Sequence, residues 1–325
     1  MLARWLRILT VLELIGAGAL AWFLAARGAG VPASLAIGLA TPFLVHGAII
    51  ALDFGVAAWA GSPTPPPLRL GLGGALGVFL REWRDSVTAF QITQPWLAPR
   101  RLAGEDSTGG ATRIPVLLIH GFFCNRQLWR PLARWLAARG HPLGAVDLEP
   151  VLGSIDDYVP AIERAVTELL ARTGAPAVAL LGHSMGGLAA RAYLRRHGTE
   201  RIGSLVTLGT PHRGTFHARL GHGRNAHQMR PDSDWLAALA ADEAAGGSRA
   251  LPRTTVILSH HDNIVAPQAG QTLPQACQTH ELAGIGHLSL AYDPAVWALL
   301  DEALLPRAGT GKDESPARLT RPDPS

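Results

Sequence analysis

The octapeptide Leu180-Leu181-Gly182-His183-Ser184-Met185-Gly186-Gly187 constrains this chain more than any other stretch. It lies between an apolar run at 177–181 and a helical run at 185–197, so the chain passes from strand to helix through a turn with a serine at its apex. Such a turn holds the serine in strained backbone dihedrals that lift its hydroxyl clear of the sheet. Side chains two residues before or after it would collide, which leaves glycine at 182 and 186. Gly187 lets the following helix pack close. The G-x-S-x-G pattern alone recurs by chance in a chain with 36 glycines, so the flanking strand and helix carry the reading.

A serine hydroxyl is a weak nucleophile at neutral pH. It needs a base, a carboxylate to orient that base, and donors for the developing oxyanion. After this kind of turn the expected chain order is serine, acid, histidine. Residues 254–259 read as a β-branched strand ending in His260-His261-Asp262-Asn263, which puts Asp262 just past a strand's C-terminal end. Residues 279–282 read as a last strand, followed by Gly284-Ile285-Gly286-His287, which puts the base at His287. Asp293 and Asp301 come too late to precede it, and Asp232, Asp234 and Asp242 read as caps or solvated charges. His260 and His261 come before the acid, and His280 lies inside the strand. Upstream, the apolar strand 114–119 ends in His120-Gly121-Phe122-Phe123. The backbone N–H of Phe122, with that of Met185 after the nucleophile, forms the expected oxyanion hole. His120 itself reads as a strand-end histidine bonded to backbone.

These residues carry a resemblance. His120-Gly121-Phe122, Gly182 to Gly187, Asp262 and Gly286-His287 together resemble the α/β-hydrolase fold and, within it, bacterial lipases and esterases. The stretches Thr207-Leu208-Gly209-Thr210-Pro211-His212-Arg213-Gly214 and Gln228-Met229-Arg230-Pro231 are similar to lipase segments. The resemblance implies a serine ester hydrolase that needs neither cofactor nor metal. Thioesterases, peptidases and acyltransferases share the constellation. A catalytically silent membrane scaffold is the alternative from another class.

Strands at 114–119, 143–148, 177–181, 202–208, 254–259 and 279–282 alternate with helices at 129–139, 157–172, 186–197, 233–244 and 294–304. This is the pattern of an α/β domain over 113–305, a mostly parallel sheet with helices on both faces. A lid has room only at about 212–250, which predicts a small lid or none and an open acyl pocket. His212, His217, His222 and His227 recur every five residues there, a spacing that does not stack on one helical face, so they read as loop histidines. Cys124 and Cys277 have neither metal nor redox spacing and read as unpaired small hydrophobes.

The first sixty residues differ in kind. Residues 8–26 are apolar apart from Thr10 and Glu13, with Arg4 and Arg7 before and Arg27 after. At 1.5 Å per residue they span about 28 Å, close to a bilayer core of about 30 Å. A second apolar stretch, 31–60, with its crossing part at 33–60, contains Pro42, His46 and Asp53. The pair reads as a two-helix transmembrane hairpin, ahead of a cleaved signal peptide or two buried helices. Arg4, Arg7 and Arg69 then face the cytoplasm, with Arg27 opposite. This predicts a bacterial inner-membrane protein with its catalytic domain on the cytoplasmic face, or on the periplasmic face if only one span is present. Over 61–112, a stiff Pro-rich linker at 61–67 leads to an amphipathic segment at 76–91. Its apolar face, including Phe79, Trp83 and Phe90, either lies in the membrane interface or packs on the sheet domain. Its polar face is Arg81, Glu82, Arg84 and Asp85. A flexible connector at 103–112 follows, and 306–325 reads as a disordered tail. The net charge of +4 comes from dispersed arginine, which suits a membrane surface and a lipid or acyl-ester substrate, not nucleic acid.

Overall fold

The computed structural model describes residues 1–98, 100–108, 113–246 and 250–304. The tail at 306–325, positions 109–112 of the connector and positions 247–249 of the lid interval lie outside these.

Two long helices, α1 (Leu2–Ala26) and α2 (Val31–Ala60), pack antiparallel. Gly38 packs tightly on α1, since a Cβ there would lie 2.7 Å from Ala17 O and 2.9 Å from Ala21 Cβ. Small residues at the contact let the backbones meet, as in membrane helix pairs. Both helices are long and apolar enough to cross a membrane, and only 11% and 17% of their most apolar windows is buried. Their apolar surface therefore faces outward, unlike that of a soluble core helix.

Helix α3 (Leu72–Val87) continues through a π-helical segment, Thr88–Thr93, into the short α4 (Gln94–Leu97). The sheet domain then alternates β1 (Val116–Ile119), α5 (Arg130–Ala138), β2 (Leu143–Val146), α6 (Val159–Thr173), β3 (Val178–His183), α7 (Met185–His197) and β4 (Ile202–Leu208). It closes with α8 (Arg224–Gln228), α9 (Asp234–Ala244), β5 (Thr254–Ser259), β6 (Gln278–Leu282) and α10 (Pro294–Ala303). All strand pairs are parallel, in the order β2-β1-β3-β4-β5-β6. β1, β3 and β5 are buried along their whole length, as expected of strands covered on both faces. One apolar cluster joins β1, β3 and β4 to α5 and α10, and another joins them to α6 and α7.

The chain runs from β1 out to the edge at β2 and returns to β3 on the other side of β1, so strand order reverses between β1 and β3. Ligands in open α/β sheets bind beyond the strands' C-terminal ends at such a reversal. The register pairs Ile119 with Gly182, His183 with Leu208 and Ser259 with Leu282. The loops after these strands therefore emerge at one level.

Candidate active site

Ser184 stands at the turn between β3 and α7 with φ 55° and ψ −129°. A non-glycine residue there is strained, and the neighbouring packing holds it. A Cβ at Gly186 would lie 2.1 Å from Ile119 O, and one at Gly182 would lie 2.5 Å from Gly187 N. Gly187 has a more specific reason than helix packing, since its Cβ would strike Thr210 Oγ1. That hydroxyl donates to Ser184 O at 2.9 Å. Gly186→Ala should cost more than about 4 kcal/mol, because the clash is with fixed backbone and no rotamer relieves it. Denaturant unfolding checks this, and a loss under about 1 kcal/mol would contradict it.

The His287 Nδ1 and Asp262 Oδ2 atoms are 2.7 Å apart, and both residues are buried. The other Asp262 oxygen accepts from the N–H groups of Ile264 and Val265 at 2.8 and 2.7 Å. Burial alone would lower the pKa of the His287 imidazole, but the Asp262 carboxylate outweighs it and the net shift is upward. Three further residues, which sequence reasoning passed over, hold the pair. Asn263 Oδ1 accepts from His287 N at 3.0 Å. His183 Nε2 lies 2.9 Å from His287 O, and burial beside His287 pushes the His183 pKa down to about 3, so this neutral ring donates. Gly209, at φ +56°, leaves room for both, since a Cβ would lie 3.1 Å from Asp262 Oδ2 and 3.2 Å from His287 Nδ1. Asn263 was within reach of sequence reasoning, being adjacent to the acid.

Ser184 and His287 line one cavity of about 310 Å³ together with Phe122. Among the described residues, the N–H groups of Phe122 and Met185 donate to no protein acceptor. Free donors on either side of a serine fit a site for a transient anion. His120 is buried, with Nδ1 on Gly121 O at 2.9 Å and Nε2 accepting from Leu148 N at 3.0 Å, so it is the backbone-bonded strand-end residue expected.

The open acyl pocket expected from the sequence is corrected by the structure. His46, Ile49, Ile50 and Asp53 of α2, with Glu82, Ser86 and Phe90 from α3 and the π segment, wall the same cavity. Ser184 is 7% exposed in consequence. The N-terminal helices, not residues 212–250, provide the cover. Of the polar face of α3, Glu82 and Asp85 turn inward, while Arg84 stays exposed. Glu82 is 2% exposed and accepts from the N–H groups of Leu288 and Ser289 at 2.8 and 3.0 Å. Asp85 accepts from Ser289 Oγ at 2.8 Å, and Arg81 donates to Gly284 O at 2.6 Å. A helix outside the sheet domain thus grips the loop that carries His287. The segment thus contacts the sheet domain through polar residues, while of its apolar face Phe79 and Trp83 pack on α2 and Leu76 and Leu80 stay exposed.

The remaining candidates lie elsewhere. His260 pairs with Glu281 at 2.9 Å, and His261 Nδ1 accepts from Gly284 N at 3.1 Å. His212 is buried between Arg191 and Thr207. His217 Nε2 lies 3.6 Å from Asp53 Oδ1 on α2. Cys124 and Cys277 are unpaired, but Cys277 is exposed and so is no core hydrophobe.

A base must be neutral to accept a proton. With the His287 pKa raised, activity should fall as pH drops through a value above the ordinary 6.5. Negative charge nearby favours the protonated ring. Glu82→Gln keeps the size and one acceptor oxygen but removes the charge, so the acid limb of the kcat/KM profile should move to lower pH. An unmoved limb would show that Glu82 carries no charge during turnover.

Comparison with known proteins agrees with this fold. Residues 114–225 match the alpha/beta hydrolase fold family. Over 119 residues, or 33% of this chain, the sequence is 35% identical to a triacylglycerol lipase of Pseudarthrobacter phenanthrenivorans and covers 36% of it. A triacylglycerol lipase of Burkholderia plantarii matches at the same identity over the same length, with 32% of it covered. The chain thus spans about a third of the length of these curated relatives. Bacillus licheniformis lipase BlEst2 superposes with a TM-score of 0.55 at 15% identity, over 62% of this chain and 96% of that one. The sheet domain has the α/β-hydrolase fold. It resembles bacterial lipases.

Proposed function

We propose that the chain is a membrane-anchored serine hydrolase that cleaves carboxylic esters of lipids or other acyl groups. One observation carries the reading: His287, paired with the buried Asp262 at 2.7 Å, lines the same cavity as a serine held at φ 55°. In the proposed reaction His287 Nε2 takes the proton of Ser184 Oγ as that oxygen bonds the acyl carbon. The carbonyl π pair moves onto oxygen, where the N–H groups of Phe122 and Met185 receive it. Each such donor is worth roughly 3–4 kcal/mol in the transition state. Collapse breaks the ester C–O bond, and the leaving alkoxide takes the proton from His287. Water, deprotonated by the same imidazole, then bonds the acyl carbon; the acyl C–Oγ bond breaks, Ser184 Oγ takes the proton back from His287, and the acid is released. Asp262 holds the ring in the tautomer that keeps Nε2 free and stabilises the imidazolium.

The membrane anchor is the α1–α2 hairpin, whose outward apolar faces would lie in lipid. Arg7 sits at the sheet-domain end, donating to Pro95 O at 2.6 Å, and Arg27 follows α1 at the far tip. By the positive-inside rule the hydrolase domain then faces the cytoplasm of a bacterial inner membrane. A reporter fused after Ser325 should be active in the cytoplasm, and activity only outside it would overturn this orientation. The activity is tested with full-length protein in detergent on p-nitrophenyl esters from acetate to palmitate. Hydrolysis of a carboxylic ester that is lost in Ser184→Ala supports the reading. No turnover on any member of the series, or turnover that survives the substitution, contradicts it.

A further inference from the structure

The cavity wall facing Ser184 belongs to a helix apolar enough to cross a membrane. His46, Ile49, Ile50 and Asp53 recur at steps of three and four residues, so they form one stripe along α2. That stripe lines the cavity. Ile49 is nonetheless 54% exposed, and Leu52 beside it is 67% exposed. The helix therefore shows one flank to the cavity and the adjoining flank to its surroundings, with Ile49 on the boundary.

Helix length sets the depth. α2 has 30 residues, about 45 Å at 1.5 Å each, against a hydrocarbon core of about 30 Å. Counted from its start at Val31, the first twenty residues fill the core. Positions 46–53 then lie about 22–33 Å from the tip, at the boundary between hydrocarbon and headgroups on the side of the sheet domain. Residues there change character accordingly. His46 bonds Ser86 at 2.8 Å and Asp53 faces His217 at 3.6 Å, while between them Ile49 and Ile50 stay apolar. In a lipid the ester group occupies this boundary, with its chain on the hydrocarbon side. The same stripe thus offers polar groups at the depth of the ester and an apolar wall beside the chain.

We propose that α2 is the bilayer-side wall of the acyl site, and that the substrate is a long-chain acyl ester resident in the near leaflet. It reaches Ser184 by moving sideways past Ile49 while its chain stays in lipid. This rests on the ester-hydrolase and membrane readings above, and it makes Ile49 a specificity-determining residue that sequence patterning assigns simply to the lipid-facing surface.

The test uses full-length protein in phosphatidylcholine vesicles with 4-methylumbelliferyl oleate, which partitions into the bilayer, and 4-methylumbelliferyl acetate, which dissolves in water. Ile49→Trp should lower the oleate-to-acetate ratio of kcat/KM at least tenfold. Leu44→Trp, on the same helix but off the cavity, should leave the ratio as in the wild type. Ile49→Ser, which does not add bulk, serves if the tryptophan variant fails to fold, and should lower the ratio by making the wall polar. At fixed total oleate ester, added phosphatidylcholine should slow turnover in proportion to the ester's falling mole fraction in the bilayer. An unchanged ratio in the folded Ile49 variants would overturn the proposal, as would an oleate rate that follows bulk concentration. If wild-type protein cleaves neither ester, or if cleavage persists in Ser184→Ala, the hydrolase reading itself fails.

Discussion

Asp262→Asn is expected to lower kcat for ester cleavage by about 10⁴-fold with little loss of stability. The reason lies in the two bonds on the other side of the carboxylate. Oδ1 accepts from the N–H groups of Ile264 and Val265, so an asparagine must turn its oxygen toward them. Its NH₂ group then points at His287 Nδ1, which has to accept rather than donate. The ring proton moves to Nε2, the atom that must take the proton from Ser184. The fold keeps its hydrogen bonds while the base sits in the wrong tautomer. Steady-state rates compared with the unfolding midpoint separate these effects. A loss of less than tenfold would show that the carboxylate does not set the tautomer.

The second large effect is at the nucleophile. Ser184→Ala should reduce kcat by about 10⁶-fold, the scale seen when a triad serine is removed. Alanine keeps the Cβ that the turn already accommodates, so the strained φ of 55° is no worse satisfied. Melting should therefore change by no more than about 2–4 °C, and a fall in rate cannot then be laid to unfolding. Residual turnover above about 1% of wild type would mean another group attacks the ester.

The sheet was legible to the extent that its strands are local apolar runs. Residues 202–208 and 254–259 read as strands and are strands, because buried parallel strands are continuous in hydrophobicity. The run 143–148 ends early, at Val146, since Leu148 N bonds His120 and Asp147 accepts from Arg126 in place of ladder partners. The grouping of Ser184, Asp262 and His287 was legible for a topological reason: each follows a parallel strand, and parallel strands end on one side. What the sequence hid is long-range. Glu82 belongs, with Arg81, Arg84 and Asp85, to the polar face of an amphipathic segment, and nothing local says that two N–H groups some two hundred residues away complete it. His46 and Asp53 likewise read as interruptions of a membrane helix. Only the packing of α2 over the β1 and β3 loops turns them toward a cavity.

The central claim is that Ser184 is activated by His287 and Asp262 inside this cavity. It is tested most directly by labelling full-length protein with a fluorophosphonate and mapping the modified peptide by mass spectrometry. The account predicts a single adduct on Ser184, with labelling slowed strongly in Asp262→Asn and absent in Ser184→Ala. An adduct on any other residue, or an unlabelled Ser184 in protein that still cleaves esters, would contradict it.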